Sequence, residues 1–369
     1  MKTLVTGGAG FIGSHVVRAL VQRGEQVVVL DSLEEQVHRG MQPQLPDGVE
    51  LIVGEVGDPA AADRALAGVE RVVHLAAAVG VGQSMYEISR YVERNTMQTA
   101  IFLERLVAQR PLPARLVVAS SMSIYGEGEY SCPVHGHCAP IPRPEEQLLA
   151  RQWELICPDC TAELTPVGTR ESKALIPTSI YAITKRDHEE LALVTGAAYG
   201  IPSVALRFFN AYGAGQALSN PYTGVAAIFA SRLLNGSAPT IFEDGAQSRD
   251  FIHVSDIVRA IVLALESDAA AGHAINLGTG RPTTVRQIAE ALSDGLEADI
   301  EPVCNGQYRA GDIRHCFADV ARARALLGFE AQVSLEEGMS RLLQWLGDQD
   351  AVDHVDAATS ELAARGLAR

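Results

Sequence analysis

The run Thr6-Gly7-Gly8-Ala9-Gly10-Phe11-Ile12-Gly13 constrains the fold of this chain more than any other feature. It follows Lys2–Thr6, a short strand-like run, and opens Phe11–Arg23, where Ile12, Val16, Ala19 and Leu20 recur on one helical face. Gly24 ends the helix, and Gln26–Leu30 reads as a second strand that stops at Asp31. A strand, a helix and a strand within about 30 residues imply that the two strands are parallel. Gly7 permits the tight turn, Gly10 lets the backbone approach a pyrophosphate, and Gly13 lets the helix pack closely on the strand. Free N–H groups at the helix N-terminus would then hold the phosphates. Asp31 can accept both ribose hydroxyls of an adenosine and would repel a 2′-phosphate, so the expected cofactor is NAD rather than NADP.

The alternation continues along the chain. Glu50–Val53, Arg71–Leu75, Arg115–Ser120 and Ser203–Phe208 read as buried strands, with helices at Asp58–Leu66, Tyr91–Gln109 and Ala182–Tyr199. The expected class is α/β, a doubly wound parallel sheet of the Rossmann type with a smaller C-terminal α/β lobe. Residues 1–210 are assigned to the NAD-binding part, with an insertion at 127–177. Residues 211–346, opening on an amphipathic helix at Thr223–Asn235, are assigned mainly to the substrate lobe, and 347–369 to a marginal helix or loose tail. A chain of 369 residues can bury a large core, and its net charge of −15 argues against non-specific nucleic-acid binding and against docking on an anionic membrane. The start lacks a signal peptide's apolar region, and the longest mainly apolar stretch, Val72 to Val81, is too short to span a bilayer. The expected location is the cytoplasm.

Two further segments carry chemistry. In Tyr181-Ala182-Ile183-Thr184-Lys185, residues four apart share a helix face, so Lys185 can sit beside Tyr181 and lower the phenol's pKa from ~10. Ser120-Ser121-Met122-Ser123-Ile124-Tyr125-Gly126 follows an apolar strand and so lies at a strand's carboxyl end, where open α/β sheets bind ligands. A serine hydroxyl there can hydrogen-bond a substrate oxygen.

The insertion is proline-rich and holds four of the six cysteines. Cys132-Pro133-Val134-His135-Gly136 and Cys157-Pro158-Asp159-Cys160 have the form of two zinc knuckles. Cys132, His135, Cys157 and Cys160 would close a tetrahedral structural zinc site, with His137 and Cys138 as competing ligands. Cys304 and Cys316 read as ordinary residues.

Together these parts resemble the extended short-chain dehydrogenase/reductase superfamily, in its nucleotide-sugar epimerase/dehydratase branch. The resemblance spans roughly residues 1–345. It rests on the glycine motif, His74-Leu75-Ala76-Ala77, Asn95, the serine segment, Tyr181 with Lys185, Arg207-Phe208-Phe209-Asn210-Ala211-Tyr212-Gly213, Arg249-Asp250-Phe251-Ile252-His253-Val254, and Arg309 with Asp312. It implies that Ser121 is the catalytic serine, Ser123 an auxiliary hydroxyl and Tyr181 the base. Lys185 would also bind the nicotinamide ribose. Asn210, Arg249, Arg309 and Asp312 would meet the nucleotide sugar. Gly7, Gly10, Phe11, Ile12, Gly13, Asp31, Ser32, Leu75, Ala76, Ala77 and Asn95 would meet NAD. Gly54-Glu55-Val56 stands where the family usually has Gly-Asp before the adenine contact, with Glu55 and Val56 as the candidates here.

Dehydratases of this branch carry Asp-Glu after the catalytic hydroxyl, and related decarboxylases carry an acid there. This chain has Met122 and Ser123, neither of which can serve as the general acid or base for elimination. The resemblance therefore implies a C4 epimerase working through a 4-keto sugar, with the long helices forming a homodimer. The cysteine-bearing insertion, with Gln216-Ala217-Leu218-Ser219-Asn220-Pro221-Tyr222-Thr223-Gly224-Val225, further resembles bacterial enzymes described as dTDP-L-rhamnose 4-epimerases, which interconvert dTDP-L-rhamnose and dTDP-6-deoxy-L-talose. A UDP-hexose 4-epimerase of the glucose/galactose type and a 4-keto-sugar reductase remain alternatives; the reductase would use NADPH, which Asp31 disfavours.

Overall fold

The computed structural model describes residues 1–309 and 311–369. Its centre is a seven-stranded sheet built from β1 (Lys2–Thr6), β2 (Gln26–Asp31), β3 (Glu50–Val53), β4 (Arg71–His74), β5 (Arg115–Ser121), β6 (Ser203–Phe208) and β7 (Ala274–Leu277). The strand order is β7-β6-β5-β4-β1-β2-β3, and every neighbouring pair is parallel. These strands are runs of Val, Leu and Ile without alternation, as expected where helices cover both faces. Strand order reverses between β1 and β4, and ligands of open α/β sheets bind outside the carboxyl ends at such a point.

On one face, helix α1 (Phe11–Gln22) buries Val16, Val17 and Leu20 against the sheet and against α5 (Val254–Glu266). On the other, α2 (Pro59–Leu66) and α3 (Gln98–Ala108) pack with Ile52, Val72 and Leu116. The expected helix over 91–109 is interrupted by a π-helical turn at Val92–Met97 before α3 begins. Helix α4 (Ile180–Tyr199) starts at Ser179, whose hydroxyl accepts the Ala182 N–H at 3.1 Å, and ends at Gly200 in the left-handed region.

The sheet reaches past residue 210. Its seventh strand, Ala274–Leu277, pairs with β6 after the chain has already built part of the second lobe. The second lobe has its own core, with Phe229, Ile241, Ile288, Leu292, Met339 and Leu342 among its buried residues. The C-terminal segment is docked. Helix α6 (Val355–Ala364) buries Ala358 and Leu362, four residues apart, and Asp356 pairs with Arg232 at 2.6 Å. The Arg365 guanidinium lies 4.5 Å from the centre of the Tyr86 ring.

Within 127–177, strand Glu129–Cys132 pairs antiparallel with Gly136–Cys138 and with Thr165–Val167. Tyr130, Cys132, Leu155, Cys157 and Leu164 form a small core of their own.

Candidate active site

A cleft of about 1090 Å³ runs between the carboxyl ends of the strands and the second lobe. The turn between β1 and α1 forms one wall. A Cβ on Gly13 would fall 2.1 Å from the Gly7 carbonyl oxygen, and one on Gly7 would fall 2.8 Å from the Ala76 nitrogen, so both positions admit only glycine. The Asp31 carboxylate closes this end, accepting N–H groups from Ala9 and Leu33 at 2.9 Å each. Each carboxylate oxygen keeps an acceptor position for a ribose hydroxyl. The donor set and the glycine cradle fit an adenine dinucleotide. Ser32, Leu75, Ala76, Ala77, Val56 and Glu55 line the same end, with Glu55 paired to Arg94 at 3.1 Å.

NAD should bind more tightly than NADP, and Asp31→Ala should narrow the gap by about tenfold or more, through loss of the repulsive carboxylate. Equal affinities for the two cofactors in the parent protein, measured by fluorescence titration, would contradict the placement of Asp31.

Asn95 has a different place from the other predicted cofactor contacts. It is fully buried in the π-helical turn. Its carboxamide accepts the Ala78 N–H at 2.7 Å and donates to the Ala78 carbonyl at 3.0 Å and the Thr184 hydroxyl at 2.9 Å. It therefore ties the loop after β4 to helix α4, beneath the cleft rather than in it.

The reacting end is built by β5 and the first turn of α4. Ser121 ends β5, and Ser123 donates to its oxygen at 2.9 Å. Tyr181 is anchored through its own N–H, which donates to the Ser84 hydroxyl at 3.0 Å. Burial pushes the Tyr181 phenol up to about 12, and a hydrogen bond with Ser121 works against that rise. Burial alone takes the Lys185 ammonium down to about 7. The sequence pattern assigns the lowering of Tyr181 to Lys185. In this geometry burial outweighs the Ser121 hydrogen bond, so the phenol stands raised, and Lys185 Nζ donates to His188 Nδ1 at 3.3 Å. His188 Nε2 in turn donates to the Asn95 carbonyl at 2.9 Å. Ser121→Ala should lower the rate by ~10²-fold or more, since it removes both a donor to the reacting oxygen and the partner of the phenol. A steady-state rate within threefold of the parent would remove Ser121 from the chemistry.

Asn210, Arg249, Arg309 and Asp312 line the far part of the cleft. Arg309 pairs with Asp312 at 2.9 Å and lies 4.7 Å from the centre of the Phe242 ring. Arg249 is held by carbonyl oxygens, donating to Ile313 at 2.7 Å and to Arg314 at 2.9 Å. Among the described residues, the buried Asn210 Oδ1, Gln216 Oε1 and Gln247 Oε1 have no hydrogen-bond partner in the chain, and all three residues line the cleft. Such acceptors fit a ligand's donors. Gln216 opens the segment 216–225 of the sequence resemblance but has no site role there, and Gln247 is not singled out by the sequence; a lone glutamine carries no periodicity that would reveal it. Ala358 and Leu362 of α6 also line the cleft, in a segment expected to be marginal or loose.

In the insertion, one ligand atom each from Cys132, His135, Cys157 and Cys160 lies within 4.8 Å of all the others. Cys132 Sγ is 3.6 Å from His135 Nδ1 and 3.6 Å from Cys160 Sγ, and Cys157 Sγ is 3.4 Å from His135 Nδ1. A tetrahedral zinc with arms of about 2.3 Å has edges of about 3.8 Å, so the group fits such an ion. The Val134 N–H points at Cys132 Sγ at 3.4 Å, which suits a thiolate. His137 and Cys138 lie outside this group. Across the hairpin His137 faces Ser131 and Cys138 faces Tyr130, whereas Gly136 faces Cys132, which places His135 in the turn beside Cys132.

No helix among the described residues is long and apolar enough to cross a membrane. The chain matches the model of the NAD dependent epimerase/dehydratase family over residues 3–147 and 158–278; the break falls inside the insertion. It is 34% identical to the dTDP-L-rhamnose 4-epimerase of Burkholderia thailandensis, over 94% of this chain and 95% of that relative. It superposes on the UDP-glucose 4-epimerase of Thermotoga maritima with UDP-glucose at a TM-score of 0.75 and 30% identity, covering 94% and 99% of the two chains. The Thermus thermophilus UDP-glucose 4-epimerase in complex with NAD gives a TM-score of 0.75 at 29% identity, covering 95% and 100%. Together with the glycine cradle, the carboxylate at Asp31 and the Ser121–Tyr181–Lys185 constellation, these likenesses establish that the chain belongs to the NAD-dependent epimerase/dehydratase family.

Proposed function

We propose that this NAD-dependent nucleotide-sugar 4-epimerase, an isomerase, acts on a dTDP-6-deoxy-L-hexose and interconverts dTDP-L-rhamnose with dTDP-6-deoxy-L-talose. The observation that carries the reaction type is the neighbourhood of Ser121. Its hydroxyl meets Ser123 and Tyr181, and the following Met122 packs into the core with Tyr125 and Phe209. Neither Met122 nor Ser123, the two residues directly after Ser121, is an acid that can drive elimination or decarboxylation. Redox change at one carbon remains as the chemistry. NAD held on the glycine cradle would supply the hydride acceptor and return. Tyr181 takes the 4-hydroxyl proton and gives it back, and Ser121 hydrogen-bonds the oxygen as it becomes a carbonyl. The 4-keto sugar turns over between the two transfers, and the unpartnered amides at 210, 216 and 247 hold the nucleotide while it does so.

The likeness to the Burkholderia thailandensis enzyme supports the sugar assignment. The Thermotoga and Thermus relatives favour a second reading, a UDP-hexose 4-epimerase. A panel of dTDP-L-rhamnose, UDP-glucose, UDP-N-acetylglucosamine and UDP-glucuronate, followed by NMR, separates them. Epimerisation of dTDP-L-rhamnose at a kcat/KM at least tenfold above the others is expected; a UDP-sugar in first place would replace the assignment.

Three further features belong to the same reading. The Cys132–His135–Cys157–Cys160 group holds one structural zinc, away from the hydride-transfer site, which needs no Lewis acid. Thiolate ligation suits a reducing compartment, in keeping with a cytoplasmic enzyme. The chain is a homodimer paired through the helices that leave Ile88, Val92, Met97, Ile183 and Val194 exposed; exposed apolar residues on two neighbouring helices mark an interaction face.

A further inference from the structure

The metal group lies in a small core that a domain cannot maintain by apolar burial alone. Two carboxylates extend from it toward the substrate lobe. Tyr130, two residues before Cys132 on the same strand, donates its hydroxyl to Glu127 at 3.1 Å. Glu127 accepts the Arg314 N–H at 2.7 Å. Glu154, three residues before Cys157, accepts Arg314 Nε at 2.9 Å and His315 Nε2 at 3.0 Å. Arg314 is 1% exposed and also reaches Glu243 at 2.9 Å and Asp244 at 2.7 Å. The segment gripped in this way, Ile313 and Arg314, presents two of the three carbonyls that seat the Arg249 guanidinium in the cleft, the third being that of Ser248.

We propose that the metal-bound insertion is a positioning device for the nucleotide-sugar diphosphate: it holds Glu127 and Glu154, they hold segment 313–315, and that segment aims Arg249. Glu127 and Glu154 are positioning residues, since neither lines the cleft. The inference rests on the metal and substrate readings above. A guanidinium clamped by backbone carbonyls keeps its remaining N–H groups in fixed directions, and fixed donors bind a diphosphate better than mobile ones. An error of about 1 Å at a positioning group can cost ~10²-fold. The cofactor end shares none of these contacts, so NAD retention should not change.

The test compares the full-length holoenzyme with Cys157→Ser and Glu154→Gln. Zinc is measured by elemental analysis, bound NAD by absorbance after denaturation, kcat and KM with dTDP-L-rhamnose, and the dissociation constant of dTDP by calorimetry. The parent should hold about one zinc per chain. Cys157→Ser should lose it and raise both KM and the dTDP dissociation constant about tenfold, with kcat changed less than threefold and NAD unchanged. Glu154→Gln should keep the zinc and show the same pattern, about three- to tenfold; this variant carries the test if Cys157→Ser does not fold. Unchanged KM and dTDP affinity in Glu154→Gln would overturn the positioning role while leaving the epimerase intact. A parent without metal would overturn the clamp through its metal. A parent inactive on dTDP-L-rhamnose and blind to dTDP would overturn it through the substrate reading, a result seen before any variant is compared.

Discussion

Tyr181→Phe should reduce epimerisation by about 10³-fold or more while NAD stays bound. The substitution removes one oxygen and little else. The backbone at 181 is fixed by the Ser84 hydroxyl and by the Ser179 cap, neither of which involves the phenol. The ring meets Tyr91 edge-on at 6.5 Å, a contact phenylalanine keeps. Lys185 is held by His188 rather than by Tyr181, so its place in the cofactor site is also preserved. What disappears is the acceptor of the 4-hydroxyl proton, and Ser121 has no comparable basicity. The variant should therefore unfold at the parent's temperature and release the parent's amount of NAD on denaturation. Activity within tenfold of the parent by NMR would require another base.

Arg207→Met should destabilise the protein by about 3–5 kcal/mol, because it strips the partner from a buried carboxylate. Arg207 on β6 and Glu189 on α4 are both buried and meet through two parallel hydrogen bonds, at 2.9 and 2.5 Å. The same guanidinium donates to the Tyr125 hydroxyl at 2.6 Å, and Tyr125 donates to Asn276 on β7 at 2.7 Å. One arginine thus connects the helix bearing Tyr181 to the 3-10 turn after Ser121 and to the edge strand of the sheet. The bidentate geometry matches a guanidinium and not an ammonium, so Arg207→Lys should recover only part of the loss. Guanidinium chloride unfolding of the NAD-loaded protein measures this, and a loss below 1 kcal/mol would mean that the pair adds nothing to the fold. Double replacement, Arg207→Met with Glu189→Leu, should cost less than Arg207→Met alone, since no unpaired charge remains.

Much of the Rossmann half was legible because its signals are local. β1, β3 and β6 stand where runs of apolar and β-branched residues predict them, and β2, β4 and β5 differ by one residue at their carboxyl ends. The glycine cradle was legible because each glycine answers a steric demand visible in the spacing. Contacts between distant segments left no such trace. Asn95 reads as a cofactor contact by resemblance, yet it braces the Ala78 loop, a pairing that only the π-helical turn creates. Arg207 sits in one motif with Asn210, which lines the cleft, and nothing in the string assigns it to Glu189. In the insertion, knuckle spacing named the cysteine pairs but left His135, His137 and Cys138 open. The hairpin decides the geometry, since residues along a strand advance about 3.4 Å each and Cys138 falls a full pleat away from Cys132. The C-terminal helix was obscured by a lack of large side chains; Ala358 and Leu362 suffice because they land on a surface already formed.

The central claim is that one carbon of a nucleotide sugar is oxidised and reduced again on the same enzyme molecule, with Tyr181 moving the proton and no exchange with solvent at that carbon. The direct measurement is NMR of the reaction of the purified holoenzyme with dTDP-L-rhamnose carrying deuterium at C4, in ordinary water and without added cofactor. The C4 epimer should form with its deuterium retained at C4, and unlabelled substrate in heavy water should gain none there. Deuterium lost to solvent, or product that forms only when reduced cofactor is supplied, would contradict the account and point to a different reaction at this site.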